Sequence, residues 1–382
     1  MRSGPLKIAI AARTARGWTG MERILFENAR GLAGRGCEVH VYAERIDAER
    51  LRSCGARPHR LPRWPWGSRL KRRAFDRFFR WSAAGKGFDL VWGHGDLLDQ
   101  DVLSLHNCVH AAHEAVHGRP LSEDSGPGWM HGRILREKRF RLLIANSRLM
   151  QREVVSRFNV PADLVRVVYP GHDPVRFKAQ DRAERGSAVR RELGLAEDHI
   201  LVGLITSGDF QKRGAALFLE ALSRMPETEK TRLHAVILGS ENRLGPYRRL
   251  AGQTGLGARV RFFPPEAAVE RFYHALDIYV HPALYEEFGL SVQEALACGV
   301  PVLSSRRVGA CELLEGTDYE AGFLPESPEP GQLAADIVRL MREPALRGRL
   351  AEAGPSAVRA NDWAANFRAT EQALSTLGQS PL

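Results

Sequence analysis

Short apolar runs, bounded by polar or glycine-bearing stretches, recur along the chain and alternate with segments of helical period. In the N-terminal half the runs at 7–12, 38–42, 89–92, 102–105, 142–147 and 165–169 predict strands without a wet face, the habit of parallel sheets. Segments 21–33 and 148–158 carry the helical period between them. Beyond a Pro- and Gly-rich stretch at 169–174, strands are predicted at 200–206, 234–239, 260–263, 277–280 and 300–303. Helices are predicted at 182–195, 215–222, 272–276, in the segment from Leu290, and at 332–340 and 363–377. Alternating strands and helices predict parallel sheets covered by helices on both faces, in two α/β domains. The loop 13–20 lacks G-x-G-x-x-G, which disfavours a dinucleotide cofactor.

Composition adds little to this picture: 44% hydrophobic and 26% charged residues describe an ordinary globular chain of 382 residues. Charge adds more. A net +10 points to anionic partners such as nucleotides, phosphorylated glycans or an acidic membrane surface, and no recognition motif supports nucleic acid. Five cysteines without a C-x-x-C pair argue against a disulfide framework or a zinc site and for a reducing compartment. With neither a signal-peptide pattern nor an apolar run of the ~20 residues a membrane span needs, a cytoplasmic chain is expected, peripheral at most on the inner face of the membrane.

Residues 57–81 hold nine Arg or Lys against one acid, Asp76, interleaved with aromatics. On a helical wheel Leu70, Ala74, Phe75, Phe78, Phe79 and Trp81 share about half a turn. Such a stretch lies on an anionic membrane surface, or its aromatic face is domain core with solvated arginines outside.

Two segments exceed what a fold requires. Glu286 and Glu294 stand eight positions apart around Gly289, which opens a helix whose free N–H groups suit phosphate. Carboxylates there would face sugar hydroxyls, so the pair suggests a nucleotide sugar. Lys212 and Arg213 precede Gly214 and another helix, a pairing suited to a diphosphate. Of His94, His106, His110, His113 and His117 none falls in a metal-ligand spacing, and His106, at a strand end, is the one expected to act. Asp101, one strand-length before it, is a further candidate, for contact with an acceptor hydroxyl.

The run EEFGLSVQEALACGVPVLSS, with Glu286-x7-Glu294 and its Phe-Gly pair, resembles the E-x7-E motif of glycosyltransferase family 4, retaining enzymes of GT-B fold. The resemblance implies an α/β chain of two Rossmann-like domains facing a cleft: 1–172 binding the acceptor and 173–360 the nucleotide sugar, with 361–382 a helix crossing back. It implies that Glu286 contacts the donor sugar and Glu294 the ribose. Backbone amides around Phe288, Gly289 and Leu290 would meet sugar and diphosphate, Lys212 and Arg213 the diphosphate, and Gly239 would border the base. Gly20 stands in the family's glycine-rich N-terminal loop, although this chain has one glycine where two are common. His106, within LSLHN, would lie near the reaction centre.

Within the family, HPALYEEFG, the Ser-Gly-Asp-Phe segment and the basic first domain are similar to lipopolysaccharide core glucosyltransferase I. That likeness implies hexose transfer from UDP-glucose to a lipopolysaccharide core or related glycan or glycolipid, without metal or other cofactor. A UDP-sugar 2-epimerase on the same scaffold and a non-catalytic basic membrane-surface module are the rival expectations.

Overall fold

Seven parallel strands form the first sheet: β1 (Lys7–Ala11), β2 (Glu38–Ala43), β3 (Arg57–Arg60), β4 (Leu90–Gly93), β5 (Val102–Leu105), β6 (Leu142–Ala145) and β7 (Val165–Val167). They lie in the order β3-β2-β1-β4-β5-β6-β7, which reverses between β1 and β4. Five parallel strands form the second: β8 (Ile200–Ile205), β9 (Leu233–Leu238), β10 (Val260–Phe263), β11 (Ile278–Val280) and β12 (Val302–Leu303). Their order, β10-β9-β8-β11-β12, again reverses beside the first strand. Both are doubly wound sheets, which take ligands outside the carboxyl ends of their strands at the reversal.

The computed structural model describes residues 4–17, 19–320 and 322–378, so Trp18 of the predicted 13–20 loop lies outside the described residues. The chain up to Gly171 joins the segment from Trp363 onward in one unit, and His172–Asp362 is the other. Helix Trp363–Ser375 belongs to the first unit through side chains: Asn366 donates to the Tyr169 carbonyl at 2.7 Å and Arg35 pairs with Glu371 at 2.6 Å. Phe367 lies where a Cβ on Gly31 would sit, 2.3 Å from its ring, so only glycine admits that ring against helix Gly20–Gly34.

Strand cores are apolar on both faces because helices cover both. Ile8, Ile10, Val39, Val41, Trp92 and Val102 are all buried in the first unit. Each fully buried aliphatic side chain contributes about 1.5–3 kcal/mol, which is why these positions tolerate nothing polar without a partner. Trp92 meets that condition by donating its indole N–H to Ser104 Oγ at 2.8 Å.

Segment 57–81 divides into β3 and helix Ser68–Ala83. Phe75 and Phe79 are fully buried and pack with Tyr42, Leu61 and Leu97, so the centre of the aromatic face is core. Arg69 and Arg73, together with Arg133, stand 4.9–5.7 Å from the Trp129 ring, so part of the basic face serves cation–π packing. Trp64, Trp66, Leu70 and Trp81 remain exposed at 38%, 70%, 51% and 79%. Of the large apolar side chains in this segment, the membrane-surface expectation keeps these four as exposed contacts. No helix among the described residues is long and apolar enough to cross a membrane.

Candidate active site

The carboxyl ends of β8, β9, β11 and β12 gather the second-unit candidates. The turn after β8 runs from Thr206 to Gly214 and opens helix Ala215–Arg224. Gly214 is left-handed at φ 72°, and a Cβ on it would meet the Pro282 carbonyl at 1.9 Å. Glycine there lets the turn touch the loop after β11, and Leu284 N–H bonds Lys212 O at 3.0 Å across the same contact. Gly239, which follows β9, is also closely packed: a Cβ on it would fall 2.7 Å from the Phe210 ring and 2.9 Å from Thr206 O.

This approach brings Lys212, Arg213 and Glu286 into one cluster. Lys212 Nζ pairs with Glu287 Oε2 at 2.7 Å, with both side chains largely out of water at 12% and 3% exposure. Arg213 pairs with Glu286 and donates Nε–H to Thr206 Oγ1 at 3.3 Å. Glu286 is held by its backbone, whose N–H bonds Arg307 O at 2.8 Å and whose carbonyl accepts from Gly309 N–H at 3.0 Å. Burial lowers the Arg213 pKa against the pull of Glu287 and Asp209. Burial also raises the Glu287 carboxyl, but Lys212 first and Arg213 after it outweigh that and hold it below the ordinary carboxylate range.

His281, which directly follows β11, completes the cluster. Its ring stacks 5.9 Å from Tyr279, and Nδ1 lies 3.1 Å from the Tyr279 hydroxyl. That hydroxyl donates its one proton to Ile205 O at 2.8 Å, so His281 Nδ1 carries the hydrogen of the shared bond. Nε2 is then a bare acceptor, buried without a partner and 3.9 Å from Glu286. Burial, with Arg213 and Lys212 adding to it, pushes the ring down to about 3, so it is neutral at pH 7. The site thus presents two cations, two carboxylates and a neutral imidazole acceptor, a set able to receive both phosphate oxygens and hydroxyl groups.

Gly289, at φ 95°, starts helix Leu290–Ala297 without a side-chain cap, leaving the first N–H groups at Leu290 unclaimed by any side chain. A Cβ on Gly289 would come 2.9 Å from Val308. Phe288 is buried, its carbonyl taken by Ala310 N–H at 2.6 Å. The helix closes through Gly299 N–H to Leu296 O and Val300 N–H to Ala295 O, both 3.0 Å, the two-bond glycine stop expected from Gly299-Val-Pro. Glu294, on the buried side of this helix, accepts from Tyr273 OH at 3.1 Å.

In the first unit His106 follows β5 and meets His94, which follows β4: Nδ1 of His94 lies 2.8 Å from Nε2 of His106, with the rings stacked. Burial, then His106, drives the His94 pKa well below its usual value, so a neutral ring lines up His106. Gly20 opens helix Gly20–Gly34 behind Thr19, whose side chain accepts from Glu22 N–H while Glu22 accepts from Thr19 N–H. Glu22 also accepts from Arg16 N–H at 3.1 Å and so pins the loop. Asp101 requires correction. It precedes β5 and so sits at the amino edge of a parallel sheet, accepting from Val91 N–H at 2.9 Å, opposite the strand ends where a ligand would lie.

Sequence reasoning gave no role to Glu287, His281 or Tyr273. The Glu-Glu doublet and the histidine closing a buried strand were visible signals, whereas nothing local marks Tyr273. Among the described residues no group of three or more His, Cys, Asp or Glu is gathered as metal ligands would be.

With this geometry in view, two family matches partition the chain: Glycosyltransferase Family 4 over residues 18–176 and Glycosyl transferases group 1 over residues 188–357. A D-inositol 3-phosphate glycosyltransferase of Thermomonospora curvata is 34% identical over 236 residues, 58% of this chain and 53% of its own length. One from Corynebacterium jeikeium is 29% identical over 314 residues, covering 77% and 73%. The chain therefore spans about half to three quarters of these relatives. Among solved structures it resembles WaaG, a glycosyltransferase involved in lipopolysaccharide biosynthesis, with TM-score 0.82 and 19% identity over 97% of this chain and 100% of that one. Anabaena HepE in complex with UDP-glucose gives TM-score 0.77 and 20% identity over 98% and 99%.

Proposed function

The chain belongs to the glycosyltransferases of family 4, built on the GT-B fold, and from that premise we propose a retaining hexosyltransferase that uses a nucleotide-diphosphate sugar. The proposed donor is UDP-glucose and the proposed acceptor a lipopolysaccharide core or related envelope glycan or glycolipid. The observation that carries the reading is the cluster of Lys212, Arg213, Glu286 and Glu287 beside the uncapped helix start at Gly289. Fold likeness to WaaG and to HepE with UDP-glucose supports the donor class.

Lys212, Arg213 and the N–H groups following Gly289 are assigned to the diphosphate. They would stabilise the negative charge that grows on it as the glycosidic bond breaks. As the phosphate draws Arg213, Glu286 becomes free to accept a sugar hydroxyl, and His281 Nε2 offers a second acceptor. Glu294, oriented by Tyr273, is assigned to the ribose, and Gly239 to the floor beside the base. His106, aligned by His94, is the proposed contact at the reacting end on the acceptor side. Retention follows if the acceptor hydroxyl attacks from the face the diphosphate leaves, passing its proton to the departing phosphate oxygen.

A thermal shift with UDP, GDP and ADP, each near 1 mM, tests the donor class. A ligand at 100 times its Kd stabilises the folded state by about 2.7 kcal/mol, several degrees for a unit of this size. A response to UDP alone, followed by UDP-glucose turnover that persists in EDTA and gives a product of retained anomeric configuration, is expected. No response to any nucleotide removes the transferase reading and favours a surface-binding module. UDP-GlcNAc consumption without an acceptor identifies an epimerase.

A further inference from the structure

At the carboxyl edge of the first sheet lies a cavity of about 750 Å³ that no role above uses, lined by Arg16, Arg45, Arg60, Arg63 and Glu44 with Leu61 and Pro62. Arg16 follows the turn after β1, Glu44 and Arg45 follow β2, and Arg60 to Arg63 end and follow β3. Three adjacent parallel strands therefore aim their ends at one point. Backbone bonds fix the wall: Glu44 N–H and Arg45 N–H reach Arg13 O at 3.2 and 3.3 Å, and Leu61 N–H reaches Ala43 O at 2.9 Å.

The charges there are unbalanced. Among the described residues none of the four arginines forms an ion pair, and Glu44, the single acid of the lining, is already matched by Arg13 at 3.3 Å. Four guanidinium groups around a concave surface repel one another unless an anion lies among them. Glu44 adds a second, independent demand: its side chain is only 3% exposed, and Oε1 is buried without a hydrogen-bond partner. A bare anion satisfies the arginines and leaves that oxygen orphaned. A ligand that joins a phosphate to a hydroxylated ring satisfies both, with phosphate oxygens on the guanidiniums and a hydroxyl donating to Glu44.

We infer that this cavity is a subsite for a phosphate ester borne on a sugar or polyol, so that the acceptor enters phosphorylated and is held by its phosphate. The inference rests on the reading of the first unit as the acceptor side of a transferase.

Calorimetric titration of the full chain with glucose 6-phosphate, with glucose and with inorganic phosphate tests it, at fixed ionic strength in chloride. Phosphatidylcholine vesicles with and without phosphatidic acid form a sedimentation arm that separates a soluble phosphate ester from a lipid headgroup. The variants are Arg45→Gln with Arg63→Gln and, as a control of equal charge on exposed first-unit residues outside the lining, Arg52→Gln with Arg77→Gln. All four side chains are exposed, so both double variants are expected to fold, and melting temperature checks that.

Glucose 6-phosphate is expected to bind more tightly than inorganic phosphate, and glucose not to bind. The cavity variant should weaken the phosphate ester roughly tenfold or more while the control leaves it unchanged. Binding confined to phosphatidic acid vesicles, and lost in the cavity variant, assigns the phosphate to a lipid headgroup and upholds the subsite. Equal loss in both double variants, or no phosphate binding in either arm, overturns it. UDP responses recorded on the same samples keep the readings apart. If UDP binds and phosphate esters do not, only the subsite fails; if UDP fails to bind, the donor assignment falls whatever the cavity does.

Discussion

Removing one carboxyl, Glu287→Gln, tests both the electrostatics and the proposed use of the donor site. Lys212 and Glu287 stand 2.7 Å apart with side chains 12% and 3% exposed. At an effective dielectric constant of 20 their attraction is about 6 kcal/mol, and loss of one partner from a buried pair costs a net of about 3–5 kcal/mol because the other charge remains desolvated. For a unit the size of His172–Asp362 that is a fall in Tm of roughly 6–20 °C. If Lys212 receives the diphosphate, the orphaned ammonium no longer has to leave Glu287, so UDP should stabilise the variant more than the wild type. The excess is expected near 1 kcal/mol, about fivefold in Kd. Lys212→Met combined with Glu287→Leu removes both charges and should restore most of the Tm while abolishing the gain from UDP. Differential scanning fluorimetry with and without UDP reads all three proteins. A Glu287→Gln protein that melts within about 2 °C of wild type, or one whose UDP response is weaker, refutes the reasoning.

Three further outcomes follow from the same geometry. Glu294→Ala should raise KM for UDP-glucose far more than it lowers kcat, and Tyr273→Phe, which deletes the 3.1 Å bond orienting Glu294, should act in the same sense by about 1 kcal/mol; initial-rate kinetics separate the two parameters. His281 titrates near 3 in the fold and near 6.5 when unfolded, so its contribution is intact above pH 6.5. It is lost as the unfolded chain takes up the proton between 6.5 and 3, at up to about 1.4 kcal/mol per pH unit. His59 and His234, pushed down to about 4 chiefly by burial, add slopes of the same sign, and urea melts across this range should be flatter for His281→Gln. Gly214→Ala, at φ 72° with a carbonyl 1.9 Å from the new Cβ, should cost roughly 2 kcal/mol or more and separate Lys212 from its loop, measured as a fall in both Tm and UDP response.

The strand pattern was legible because parallel strands buried on both faces read as continuous apolar runs. β3 escaped for the opposite reason: as an edge strand of sequence Arg-Pro-His-Arg it has no apolar residue to signal it beyond Pro58. Helix Gly126–Glu137 opens on Gly-Pro-Gly, which reads as a loop, yet Pro127 fits a first turn and Ser125 caps it by accepting from Gly128 N–H at 3.0 Å. Helix Pro344–Val358 carries Pro355 inside it and glycines at 348 and 354, so its local signals contradict the packing that keeps it helical. For the site, Lys212, Arg213, Glu286 and Gly289 were legible as residue types suited to one ligand, but their partners were not. Which of two adjacent glutamates faces which of two adjacent cations depends on how the loops after β8 and β11 meet, a contact set by Gly214 and Pro282. The place of Asp101 was legible too: a residue just before a strand of a parallel sheet lies at the amino edge, away from ligands.

The two anion-seeking regions differ in a way that bears on selectivity. In the second unit each cation is matched by a carboxylate, Lys212 by Glu287 and Arg213 by Glu286. A ligand that supplied phosphate alone would take the cations and strand both carboxylates in a buried site, where an unpaired charge is costly. A nucleotide sugar avoids that penalty because its hydroxyls can donate to the carboxylates its phosphates release. The self-paired site should therefore discriminate against inorganic phosphate and in favour of a ligand that carries both functions. Among the described residues the four arginines that line the first-unit cavity, Arg16, Arg45, Arg60 and Arg63, have no carboxylate partner, and the orphaned Glu44 oxygen is what demands a hydroxyl there. That region should accept simple phosphate weakly and a phosphate ester of a polyol better. Competition between inorganic phosphate and UDP should therefore be slight, whereas inorganic phosphate and glucose 6-phosphate should displace one another.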